Sequence, residues 1–185
     1  MRAFVAVPLP ADFEEWLQEY RSSLGEFAPR TVPASSCHMT LRFLGEMSEN
    51  DMHAAGRLLE TDLTECAVIS MCLDTIGVFL KNGKPSVLWL GPSHKTEEVV
   101  NLAVRVRKVL YGFGTGRQED SFTPHITLAR FSSRGTPADA AVLRNRLPKP
   151  FTFVMDQVVL YESVLGQGHP LYLPHGTVFL RRFAE

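Results

Sequence analysis

Two tetrads of one form occur in this chain, His38-Met39-Thr40-Leu41 and His125-Ile126-Thr127-Leu128. In an extended strand side chains alternate between faces, so each His shares a face with the Thr two positions on, and Leu41 or Leu128 turns the other way. Each tetrad therefore offers an imidazole beside a hydroxyl and anchors itself with a leucine. With an ordinary pKa of ~6.5, one imidazole can accept a proton while a second donates one, which suits in-line displacement at phosphorus. The hydroxyls of Thr40 and Thr127 can donate hydrogen bonds to the non-bridging phosphate oxygens. A single copy would fit a half-buried strand with a wet face; a second copy argues for paired use. Two histidines could also ligate zinc, but no third His or carboxylate accompanies either tetrad, and no metal or other cofactor is expected.

The tetrads need strands that meet, and the pattern supplies them. Residues 2–7 form an expected strand, and residues 11–24 carry Phe13, Trp16, Leu17, Tyr20 and Leu24 at helical spacing. "HMTLRFLG" follows as a strand, and Ser48 with Asp51 signals the start of a second helix. "AVISMCLDTIGVFL" and "SVLWLG", separated by "KNGKPS", predict a hairpin; residues 96–110 predict a third helix, and the glycines of "YGFGTGRQED" a helix cap and a mobile loop. "FTPHITLARF" is a further strand, residues 137–147 a fourth helix, and "FTFVMDQVVLYES" with "LYLPHGTVFLRRF" a closing pair of strands. The order suggests a loosely duplicated α+β architecture. If a two-fold relates its halves, antiparallel sheets line a central cleft, helices lie outside, and His38 faces His125.

Composition is that of a globular protein: 45% hydrophobic and 21% charged residues among 185, with a net charge of −1. No apolar run approaches the ~20 residues of a membrane helix, and the opening "MRAFVAVPLPADFEEW" reads as a strand, not a signal peptide. Cys37, Cys66 and Cys72 fit neither a disulfide framework nor a zinc ribbon, so a reducing cytoplasm is expected. Residues 1–92 hold 7 basic and 12 acidic side chains and residues 93–185 hold 12 and 8, so the second half is the better anion receptor.

These segments resemble the two-histidine phosphoesterase superfamily, and within it the RNA 2′,3′-cyclic phosphodiesterases once named 2′-5′ RNA ligases. The resemblance spans nearly the whole chain: "MRAFVAVPLP", "HMTLRFLGE", "VLWLG", "FTPHITLARF" and "VVLYESVLGQGHPLY". It implies a single bilobal domain over residues 1–185 that hydrolyses RNA 2′,3′-cyclic phosphate ends to 2′-phosphomonoesters and can run in reverse as a 2′-5′ ligase. It further implies His125 as general base, His38 as general acid, Thr40 and Thr127 as phosphate ligands, Arg130 as a phosphate-contacting arginine and Phe43 as a base-stacking aromatic. Arg130 and Phe43 both lie five residues after a His, where an unbroken strand points away from the cleft, so each needs a bulge or a strand end. The expected partner is an RNA end; a membrane or an obligate protein partner is not expected, and the chain is read as a monomer.

Pseudo-symmetry leaves acid and base interchangeable on the residues alone. Arg42 is open between a substrate contact and a solvated charge, and Thr31 and Cys37 depart from the family pattern. His53, His94, His169 and His175 read as surface residues, Cys37 as no catalytic thiol, and Trp89 and Tyr161 as core or cleft-wall aromatics. Two rival functions remain, a small cyclic nucleotide as substrate and a low-activity RNA-end-binding module.

Overall fold

A computed structural model describes residues 1–24, 30–94, 97–116, 121–131, 141, 149–166 and 169–182. Its strands are β1 (Arg2–Pro8), β2 (Arg30–Thr31), β3 (His38–Glu46), β4 (Ile69–Leu73), β5 (Thr75–Lys81), β6 (Lys84–Gly91), β7 (Ile126–Arg130), β8 (Phe151–Met155), β9 (Gln157–Val164) and β10 (Leu171–Phe179); its helices are α1 (Phe13–Leu24), α2 (Glu49–Leu63) and α3 (Glu97–Val109). The expected helix over 137–147 lies outside the described residues.

The main sheet runs β10-β9-β1-β3-β7-β6-β5, with β2 added on β7, and all its pairings are antiparallel. Its two lobes, β10-β9-β1-β3 and β7-β6-β5, join through a single register pair, Met39 with Ile126. They are thus one continuous sheet bent around a cleft. One face packs Val5, Val7, Met39, Leu41, Leu88 and Leu128 into the core. On that face α3 packs against β3, and α2 packs against β10 and α3. Ser48 caps α2 as expected: its Oγ accepts from the Asp51 amide at 3.1 Å, satisfying a donor that the helix start leaves unpaired.

Two expected strands each divide at an aspartate. Asp74 separates β4 from β5, and Asp156 separates β8 from β9; β4 and β8 pair with each other in a second, two-stranded sheet. Asp74 fixes its break by accepting from the Ser93 amide at 2.7 Å and from the Ser93 hydroxyl at 2.8 Å. The hairpin is therefore β5-β6 alone. "YGFGTG" ends α3, with Gly112 at φ 87°, and then binds β3: the Gly116 amide donates to Leu44 O at 2.7 Å and Thr115 Oγ1 accepts from the Glu46 amide at 3.0 Å. The helix cap is thus present and the segment is stitched to β3 as far as Gly116; its remainder, residues 117–120, lies outside the described residues. A Cβ on Gly114 would lie 2.0 Å from Leu44 O, so only glycine permits the approach.

Candidate active site

The Met39–Ile126 pair sets the site. An antiparallel pair has a local two-fold, and one step to either side places His38 beside Thr127 and Thr40 beside His125. Met39 and Ile126 are fully buried and face the core, so the four polar residues share the opposite face. All four line one cavity of about 800 Å³, and Thr40, His125 and Thr127 also line an adjoining cavity of about 550 Å³.

The two-fold extends to the hydrogen bonds. His38 Nδ1 lies 2.9 Å from Ser36 O and His125 Nδ1 lies 2.8 Å from Thr123 O, each the carbonyl two residues earlier. A carbonyl only accepts, so Nδ1 carries the hydrogen in both rings, and Nε2 is the nitrogen that gains or loses a proton. Aromatic rings hold each imidazole. Phe4 is 4.8 Å from His38 and Tyr172 meets His38 edge-on at 5.0 Å; Phe79 meets His125 edge-on at 4.8 Å, with Trp89 at 6.3 Å. Trp89 lies flat over Gly77, where a Cβ would be 2.0 Å from the indole. Burial between these rings, reinforced by the charges of His125 and Arg130, lowers the His38 pKa to about 4.

The bulges required by Phe43 and Arg130 are present, and they match. Between β1 and β3 the register passes from Ala6–Thr40 to Val5–Arg42, and between β6 and β7 from Trp89–Thr127 to Leu88–Ala129. The extra residues are Leu41 and Leu128, each three after its His. Both strands thereafter place two neighbours in the core and return the fifth residue to the cleft, where Phe43 and Arg130 line both cavities. The same bulge turns Arg42 toward α3. Arg42 is buried and donates to Arg107 O at 2.6 Å, holding the C-terminal end of α3, so it is not a solvated charge, and from there it lines the smaller cavity.

Cys37 is buried, and burial pushes its thiol up to about 12, which leaves no thiolate for chemistry. His175 pairs with Glu162 at 2.9 Å, and His53 stands 4.0 Å from Glu49, both exposed on the outer side of α2. His169 is exposed, as expected, and stands at the rim of the larger cavity. Phe4, Phe79 and Tyr172, the rings around the histidines, were not singled out from the sequence. They come from three other strands, and only the sheet order brings them to the tetrads. Among the described residues no group of three His, Cys, Asp or Glu side chains is arranged to hold a metal ion.

With this geometry in place, the sequence profile of the 2′-5′ RNA ligase superfamily matches residues 9–167. The chain belongs to that superfamily. It is 30% identical over 183 residues to an RNA 2′,3′-cyclic phosphodiesterase of Escherichia coli, covering 94% of this chain and 93% of that protein. It is also 30% identical over 145 residues to one of Aeropyrum pernix, covering 77% and 81%. The structure is similar to Escherichia coli LigT complexed with 3′-AMP, with a TM-score of 0.80 at 26% identity and 98% of each chain covered. The superfamily's bilobal α+β architecture is thus the one observed, its antiparallel lobes fused through one rung.

Proposed function

We propose that this chain, as one bilobal unit over residues 1–185, hydrolyses 2′,3′-cyclic phosphate ends of RNA to 2′-phosphomonoesters. The observation that carries the reading is the two-fold quartet His38, Thr40, His125 and Thr127 facing one cavity across the Met39–Ile126 rung. The relatives named RNA 2′,3′-cyclic phosphodiesterase support the reaction class. Thr40 and Thr127 donate to the non-bridging oxygens, Arg130 neutralises their charge, and Phe43 stacks on the terminal base. His125 Nε2 takes a proton from water as its oxygen attacks phosphorus; the bond from phosphorus to O3′ breaks, and His38 Nε2 gives O3′ its proton. The product carries a 2′-phosphate and a free 3′-hydroxyl. With a ribose hydroxyl in place of water the steps run backwards as 2′-5′ ligation, while ~55 M water favours hydrolysis unless the second end is held well.

The acid role asks His38 to carry a proton that burial between aromatic rings disfavours. The substrate supplies the counter-charge: a bound phosphate anion offsets the repulsion from His125 and Arg130 and favours the imidazolium. Three free cysteines fit a cytoplasmic setting, and the reading takes the enzyme as a monomer without an obligate partner.

The test is turnover of an oligoribonucleotide ending in 2′,3′-cyclic phosphate, with the product read by phosphorus NMR. His38→Ala and His125→Ala should each lose about 10²–10⁴-fold in kcat. A substrate with sulfur replacing O3′ departs without a proton, so it should restore His38→Ala and leave His125→Ala impaired. Rescue of His125→Ala in its place would exchange the two roles, and undiminished activity in both variants would end the proposal.

A further inference from the structure

We propose that the far end of the larger cavity, formed by Arg2, Ser163 and His169, binds the phosphodiester joining the terminal nucleotide to the one before it. The inference rests on the RNA reading above and sharpens it, making the substrate a chain and not a cyclic mononucleotide. All three residues line the same cavity as the quartet. Arg2 on β1 is in register with Ser163 on β9, and Ser163 with Tyr172 on β10, so one row across three strands carries a guanidinium, a hydroxyl and the ring that meets His38 edge-on.

The spacing fits one nucleotide. Ala6 pairs with Thr40, and Arg2 lies four residues further along β1, about 13 Å at roughly 3.3 Å per residue. Between them Phe4 stacks with Tyr161 at 5.3 Å and meets Tyr172 edge-on at 5.0 Å, with Phe43 at 6.3 Å. A base and ribose resting on this floor, with the cyclic phosphate among the quartet, direct the 5′ side toward Arg2.

Charge agrees. Among the described residues neither cavity is lined by an Asp or Glu, although the chain contains 20 acidic residues. The carboxylates nearest Arg2 in sequence register are engaged elsewhere: Glu46 with the Met1 ammonium at 3.6 Å, and Glu162, turned from Ser163 by alternation, with His175 at 2.9 Å. Arg105, Arg181 and Arg182 each meet a carboxylate, whereas Arg2 meets none among the described residues. In the smaller cavity the arginines other than the shared Arg130, Arg42 and Arg107, are bound to the carbonyls of Arg107 and Ala103.

The experiment compares kcat and KM for a 2′,3′-cyclic mononucleotide, the matched dinucleotide bearing the same cyclic end, and that dinucleotide with an uncharged methylphosphonate link. The wild-type protein should favour the charged dinucleotide by about tenfold in KM, as expected for a charge-assisted contact, with the advantage absent from the methylphosphonate. Arg2→Gln and His169→Ala should weaken only the charged dinucleotide, leave kcat and mononucleotide turnover unchanged, and, for Arg2→Gln, reduce the salt slope of log(1/KM) by about 0.7. Equal use of the charged and uncharged links by the wild type would overturn the subsite, as would Arg2→Gln losing the same factor on every substrate. No turnover of any of the three by wild type would instead remove the proposed function on which the subsite rests.

Discussion

Burial against Phe4 and Tyr172 makes the His38 imidazole resist its proton, and this has two measurable effects. The unfolded chain binds that proton at an ordinary pKa of about 6.5 and the folded chain only at about 4, so acidification between those values favours unfolding. His38 should therefore subtract up to about 3 kcal/mol from stability between pH 6.5 and 4, and nothing above that window. Urea titrations at pH 7.5 and 4.5 should lose less stability in His38→Gln than in wild type; equal losses would contradict the burial argument. In catalysis, the inactive state at low pH has both histidines protonated, which His38 opposes. The acidic limb of kcat/KM should thus fall near pH 4, with a decline on the alkaline side as the pair loses its single working proton. An acidic limb at 6.5 or above would place the controlling group elsewhere.

Alternation along a strand was sufficient to put His and Thr on one face, and that part of the site was legible because it involves only neighbours in sequence. A bulge has no comparable signature. Leu41 and Leu128 look like ordinary members of a period-two pattern, so nothing in the sequence signals that Arg42 turns to clamp α3. The breaks at Asp74 and Asp156 were masked for another reason: both sheets bury apolar residues, so the hydrophobic run continues across the change of sheet. The aromatic cradles were illegible, since a ring on β5 reaches His125 only through cross-strand neighbours. Gly77 belongs to this level. Gly77→Ala drives a methyl into Trp89 and should displace the indole beside His125, lowering both Tm and kcat. Gly56→Ala, in α2 with nothing within 4 Å of the new methyl, should instead stabilise by about 1 kcal/mol. A common sign for the two changes in thermal and kinetic assays would refute the packing account.

At the scale of the molecule, two lobes hydrogen-bonded through one rung bring together residues from opposite halves of the chain. The site's proposed machinery is wholly side-chain acid, base and hydrogen-bond donor, so turnover should persist after dialysis against EDTA; its complete loss there, restored by a divalent cation, would require a different mechanism. The described lining of the cleft, which holds no carboxylate, is set in a chain whose net charge is −1, and this bears on how RNA arrives. With 19 basic and 20 acidic side chains the chain as a whole offers a polyanion little net attraction, so a cleft lined by Arg2 and Arg130 is where local attraction can act. Such a contrast favours encounters in which a strand end meets the cleft over contacts along the body of an RNA.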